Sequence, residues 1–276
     1  MRWRQFLTPI TSLNFKQFNS YMIGEELDDI TIIDVRQPSE YQNSHIPGAI
    51  LVPLPQLVEK IKNIDTHKPT VVYCATGNRS RIAAQVLVSK GFGEVINLAG
   101  GIRAWNSQTA IGGEDMGLML FNGQETVSQC LSIAYALEGG LREFYETMTS
   151  QVTHLDAQNL FNKLAAIEIK HQGRIYSEYI KLTDAADDRD AFEANIVTKY
   201  IEGGLTAKEF AQLYRPDWES VLDIASTAMA IEAQALDLYL RASRRSQNEK
   251  VRSFLKQIAS EELSHMDQLG KLIESL

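Results

Sequence analysis

Residues 127–175 and 221–269 repeat one pattern at an offset of 94, and this repeat narrows the fold of the 276-residue chain more than any other feature. The shift carries Val127, Leu131, Ala134, Glu138, Leu141 and Tyr145 onto Val221, Ala225, Ala228, Glu232, Ala235 and Tyr239. It also carries Phe161, Leu164, Glu168, His171 and Ile175 onto Leu255, Ile258, Glu262, His265 and Leu269. Steps of three and four residues keep such positions on one seam of an α-helix. Four helices are therefore predicted, each with an inward stripe, and four such stripes close a bundle around one core.

The polar exceptions carry the chemistry. Glu138, Glu168, Glu232 and Glu262 lie on the buried seams, with His171 and His265 one turn beyond the second and fourth. A lone buried carboxylate costs several kcal/mol even after relaxation, so four in one core require cations. Glu138 and Glu168 are 30 residues apart, as are Glu232 and Glu262. Antiparallel hairpins with short loops would set both members of each pair at one level, ~20 Å from the turn at 1.5 Å per residue. Four carboxylates balance two divalent ions, and oxygen-rich ligation with one imidazole per metal suits iron or manganese better than structural zinc. The bland alternative, solvated glutamates on amphipathic helices, does not account for six matched seam positions.

A Glu on each of two helices with a Glu-x-x-His on each of the others is the ligand pattern of ferritin-like bundles. Residues 124–276 resemble the rubrerythrin and ferritin-like diiron family on this pattern. The resemblance implies two iron (or manganese) ions per chain and a homodimer paired through helix faces. The chain departs from rubrerythrin proper in having no C-terminal Cys-x-x-Cys pair and in carrying Ala235 where a further Glu often stands. Tyr145 and Tyr239 each follow a seam Glu by seven residues. They are candidates to bond a ligand carboxylate or carry an electron, and equally for ordinary buried tyrosines with satisfied hydroxyls.

The first half reads differently. Thr31–Val35, Thr70–Tyr73 and Val95–Leu98 are short β-branched runs, and Arg79–Lys90 is an apolar helical stretch ended by Gly91. Strand, loop, helix, strand predicts an open, mainly parallel α/β sheet flanked by helices. Cys74-Ala75-Thr76-Gly77-Asn78-Arg79 lies between a strand and a helix. Unpaired amides at that junction form an anion nest, and the helix dipole lowers a thiol pKa there. Gly77 lets the loop curl, Arg79 adds positive charge, and the chemistry favoured is attack by Cys74 on a sulfane sulfur to leave a persulfide.

This segment resembles a single-domain rhodanese. The resemblance is carried by Ile33-Asp34-Val35-Arg36, Glu40-Tyr41, His45-Ile46-Pro47-Gly48-Ala49, the Cys74 loop and Gly100 through Trp105. It implies that Cys74 carries the sulfur, that the amides of residues 75–79 hold it, and that Asp34 and Arg36 brace the loop. Phosphatases and arsenate reductases of the same fold use a loop one residue longer, so the four residues between Cys74 and Arg79 favour sulfur. The remaining alternative is an inert thiol in a binding module. Cys130 reads as an ordinary buried cysteine, and His67 and His154 as surface residues.

The expected organisation is a rhodanese-like domain over 1–108, a glycine-rich linker over 109–123 and the dimetal bundle over 124–276. The net charge of −8 and pI near 5.2 argue against a nucleic-acid or anionic-membrane partner. Two distant cysteines, no sustained apolar run at the N-terminus and no uninterrupted apolar window predict a cytoplasmic protein without a signal peptide or membrane span. The favoured function is a fusion enzyme, moving sulfane sulfur from a small donor to a thiol acceptor through Cys74 and running redox chemistry with oxygen or peroxide at the dimetal centre. The alternatives are a peroxide or oxygen scavenger with the first half as its thiol partner, and a non-catalytic persulfide or iron sensor.

Overall fold

Strands form where the β-branched runs predict them: Thr31–Asp34 (β2), Thr70–Tyr73 (β4) and Val95–Leu98 (β5). Thr11–Leu13 (β1) and Ile50–Leu51 (β3) add edges too short to leave a sequence signal. The order is β1-β5-β4-β2-β3 with every pair parallel. The flanking helices are Phe15–Met22 (α1), Pro38–Asn43 (α2), Leu57–Lys60 (α3) and Asn78–Ser89 (α4). Alternate residues of β4 feed two apolar clusters, Val72 packing with Ile33 and Leu87, and Tyr73 with Tyr41 and Leu98. β4 and β5 are buried along their whole length, as central parallel strands must be. Parallel pairing gathers the carboxyl ends of β2, β4 and β5 at one edge, where ligand sites of open α/β sheets lie.

These coordinates come from a computed structural model that describes residues 10–22, 29–183, 188–194, 196 and 200–275. The N-terminal stretch 1–9, read above for a leader, lies outside them. The chain divides into two units, Met1–Glu114 and Asp115–Leu276. The glycine-rich stretch 109–123 is shared between them. Ala110 exchanges both backbone hydrogen bonds with His45, at 2.8 and 2.9 Å, and the Gly112 N–H donates to the Gln42 carbonyl. From 116 onward the chain packs in the second unit, with the Met116 carbonyl accepting from Arg241 at 2.7 Å and Phe121 buried against Tyr239. Gly117 (φ +74) is favoured there by its left-handed backbone, and a Cβ would also stand 3.1 Å from the Gly203 carbonyl oxygen.

The second unit contains the four predicted helices, Val127–Gln151 (α5), Leu155–Thr183 (α6), Val221–Arg245 (α9) and Glu249–Ser275 (α10). Between them lie the short helices Arg189–Glu193 (α7) and Ala207–Tyr214 (α8). Capping boxes at Thr126/Gln129 and Thr206/Glu209 start α5 and α8, and Ser220 caps α9. Short loops close two hairpins, α5 with α6 and α9 with α10. Glu138 and Glu232 each lie thirteen residues before the end of their helix, and Glu168 and Glu262 thirteen after the start of theirs. All four glutamates therefore sit ~20 Å from the turns, at one level. α9 is buried on every face from Ala230 to Ser243, because Gly203 and Gly117 cover its outer side at Gln234 and Leu238. That cover explains a buried ion pair on this outer side, Arg241 Nε to Asp237 Oδ2 at 2.7 Å.

Candidate active-site loop and metal centre

The Cys74 loop begins where β4 ends. Gly77, at φ +93, is the N-cap of α4 and turns the backbone back toward the sulfur. Its N–H donates to Cys74 Sγ at 3.1 Å, and the Ser80 hydroxyl lies 3.6 Å from the same sulfur. Burial works to raise the Cys74 pKa, but the Ser80 hydroxyl and the N–H groups of Ser80, Thr76 and Gly77 outweigh it and hold the thiol below its ordinary value. Of the amides expected over 75–79, those of Thr76 and Gly77 reach Sγ. The cradle is completed by Ser80, one residue further on, which the motif reading did not single out. Ser80 is fully buried, and its one hydroxyl proton bonds either the Cys74 sulfur, 3.6 Å away, or Asn97 Oδ1 of β5, 2.7 Å away. A buried serine in the first turn of an apolar helix was the available signal.

The other wall of the loop is the turn after β5. The N–H groups of Ile102 and Arg103 donate to the carbonyls of Cys74 and Ala75 at 2.9 and 3.2 Å. Gly101, at φ +58, allows this approach, since a Cβ there would lie 2.1 Å from the Cys74 carbonyl oxygen.

Arg79 is held end-on through both terminal nitrogens of its guanidinium. Nη1 and Nη2 donate to Glu40 at 2.8 and 2.7 Å, and Glu40 is itself fixed by the capping box of α2. The Arg79 hydrogen bonds hold the Glu40 carboxyl down at about 2, and the guanidinium also faces the Cys74 sulfur. Glu40 was part of the quoted motif but had no assigned role. Asp34 and Arg36 form a buried fork, with Arg36 Nη2 donating to Asp34 Oδ2 and to the Ser44 carbonyl, both at 2.6 Å. Arg36 also lies over the Tyr73 ring, 5.5 Å from its centroid. The bracing expected of this pair reaches the loop through Tyr73, the residue before Cys74.

In the bundle, Glu138, Glu168 and His171 form one trio, and Glu232, Glu262 and His265 another, with the ligand atoms of each trio within 4.8 Å of one another. His171 Nδ1 lies 2.9 Å from Glu168 Oε2 and 3.3 Å from Glu138 Oε2. His265 Nδ1 lies 2.9 Å from Glu262 Oε2 and 3.6 Å from Glu232 Oε2. The two imidazoles stack with centroids 4.2 Å apart, which brings the trios side by side. All four glutamates are buried, none more than 3% exposed. Burial pushes the Glu138 carboxyl up, but His171 reverses the effect and holds it below the usual range. Burial pushes His265 down, and Glu232 more than compensates, so its pKa is raised.

The donor set suits a pair of hard divalent cations. It offers carboxylate oxygens and one imidazole per trio, and buried Glu232 Oε2 has no hydrogen-bond partner. The His265 ring, 3.6 Å from that oxygen, is too far for a full hydrogen bond, and a cation beside it would offset the cost of burying the carboxylate. Tyr145 and Tyr239 lie two helical turns from Glu138 and Glu232, buried beside Phe144 and Phe161 and beside Phe121. Cys130 is fully buried, and burial raises its thiol pKa. Among the described residues, no helix is long and apolar enough to cross a membrane.

Residues 18–108 match the Rhodanese-like domain, and residues 129–273 match Rubrerythrin. The protein YqhL of Bacillus subtilis is 43% identical over 77 residues, covering 28% of this chain and 61% of that protein. The thiosulfate sulfurtransferase GlpE of Coxiella burnetii is 40% identical over 79 residues, covering 29% of this chain and 74% of GlpE. A crystal structure of a rhodanese-like domain protein from Staphylococcus aureus aligns with a TM-score of 0.34 at 23% identity, over 37% of this chain and 98% of that one. The Rubrerythrin match spans more than half of the sequence and contains all six clustered ligands. The chain belongs to the rubrerythrin family, and it carries a rhodanese-like domain ahead of its diiron-type bundle.

Proposed function

We propose that the protein is a two-centre enzyme, a sulfurtransferase working through a Cys74 persulfide and joined to a dinuclear iron or manganese redox centre. The observation that carries the first half is the cradle around Sγ, which stabilises a thiolate at the mouth of a helix. The Cys74 thiolate attacks the sulfane sulfur of a small donor. The new bond joins Sγ to that sulfur, the donor's own bond to it breaks, and the remainder leaves with the electron pair. The amides of Thr76 and Gly77 and the Ser80 hydroxyl then face the persulfide. An acceptor thiolate removes the outer sulfur and regenerates Cys74. Glu40 keeps Arg79 fixed beside the sulfur through both half-reactions.

In the bundle, Glu138, Glu168, His171, Glu232, Glu262 and His265 would hold two metal ions, which supply redox chemistry toward oxygen or peroxide when bound. The chain's own contribution is a set of buried carboxylates held at one level, and Tyr145 and Tyr239 stand two turns further along the same helices. Free Cys74 requires reducing surroundings, which favours the cytoplasm, and pairing of two copies through bundle faces is the expected assembly. The test is Cys74→Ala. It should abolish thiosulfate:cyanide sulfurtransferase activity without changing metal content. Activity that survived would remove Cys74 from the mechanism.

A further inference from the structure

The two repeats differ beside the metal ligands, where side chains of α6 and α10 meet. Arg174 of α6 forms an ion pair with Glu261 of α10, three residues after His171 and one before Glu262. The 94-residue shift places Gln268 at the Arg174 position and Ile167 at the Glu261 position. Ile167 carries no charge, and Gln268 Nε2 turns back along its own helix to Ser264 Oγ at 3.4 Å. Neither side chain at this pair of positions carries a charge, and a cavity of about 90 Å³ occupies the place. Leu160, Leu164, Ile167, Leu269 and Leu272 form its apolar wall. It reaches Glu168, Glu232 and His265, so it touches ligands of both trios, and exposed Lys163 contributes to its rim.

We infer that this cavity admits a small uncharged oxidant, dioxygen or hydrogen peroxide, to the ligand cluster, while the Arg174–Glu261 pair closes the equivalent route on the other side. The inference rests on the redox reading of the bundle. An apolar wall passes dioxygen at little cost, costs hydrogen peroxide the hydrogen bonds it leaves behind, and penalises most an ion that must shed its water. The volume holds a few molecules the size of water. Access at one end of the seam also leaves the other end of the same two helices, α6 and α10, tied together by charge.

The double variant I167E/Q268R rebuilds the ion pair on the open side, at positions half-buried and exposed in the native chain. Xenon under pressure should occupy the cavity in the metal-free wild type and be absent from the double variant. Iron content should be unchanged, and oxidation of the ferrous protein by dioxygen or hydrogen peroxide should slow by about tenfold or more, as for a gated site. Adding R174Q/E261I, which opens the second side, should restore the rate. Absence of xenon from the wild-type cavity would overturn the inference, as would wild-type oxidation in an iron-loaded double variant. Failure of the wild type to bind iron would instead sink the redox reading itself.

Discussion

Gly101→Ala tests how the sulfur loop is held. A Cβ at Gly101 falls 2.1 Å from the Cys74 carbonyl oxygen and 2.7 Å from the Ala75 carbonyl carbon. Relief to an ordinary contact requires the Cys74–Ala75 peptide to move by roughly 1 Å. That shift breaks the hydrogen bonds from Ile102 and Arg103, worth about 0.5–1.5 kcal/mol each. Alanine at positive φ adds about 1–2 kcal/mol. The summed destabilisation is about 2–5 kcal/mol, enough to lower the unfolding temperature of a unit this size by at least ~10 °C. Misplacing the nucleophile by ~1 Å should cut sulfur transfer by about a hundredfold. The assays are thiosulfate:cyanide turnover and hydrogen exchange of the β4 amides. Gly91→Ala is the control, since Gly91 also has positive φ (+93) but a Cβ there meets nothing within 4 Å. It should lose stability through backbone strain alone and keep its transfer rate. A Gly101→Ala protein with wild-type turnover and wild-type exchange would refute the role given to this turn.

The depressed Cys74 pKa implies that thiolate reactivity persists as pH falls and is lost only below that pKa. Ser80→Ala removes a hydrogen bond to the charged form, so the midpoint of iodoacetamide alkylation should move to higher pH and the rate at pH 7 should fall by about threefold to tenfold. An unmoved midpoint would exclude Ser80 from the cradle. His265→Ala should lower bound metal from about two ions per chain to about one or fewer, and His171→Ala should do the same from the other trio. Metal at ~100 times its dissociation constant should stabilise the bundle by about 2.7 kcal/mol per ion bound, so chelation should lower its unfolding temperature reversibly. Unchanged metal content in both histidine variants would contradict the ligand assignment.

The grouping of four glutamates and two histidines was legible in the sequence because helical periodicity and equal hairpin arms determine it. Seam spacing alone puts Glu138 and Glu168 at one level once the loop is known to be short. The strands of the sheet interior were legible for a similar reason, since burial on both faces demands continuous β-branched runs. Pairings set by tertiary topology were not. Glu40 meets Arg79 across 39 residues, and Ser80 meets Asn97 across 17, only because parallel strands bring their carboxyl ends together. The 109–123 stretch reads as a linker because glycines mark it. In the structure, glycines such as Gly117 and Gly123 serve close packing against Leu238 and Arg245. The contrast between Arg174–Glu261 and Gln268–Ile167 is present in the repeat but carries no meaning until the helices are seen to face each other.

Metal content of the anaerobically purified protein after saturation with ferrous or manganous ion decides whether the bundle is a dimetal site. The expected result is about two ions per chain in the wild type, falling to a trace when Glu138, Glu168, Glu232 and Glu262 are all replaced by glutamine. A wild-type chain that stays empty with either ion, or a glutamine variant that binds as much metal as the wild type, would mean that these buried carboxylates serve some other purpose.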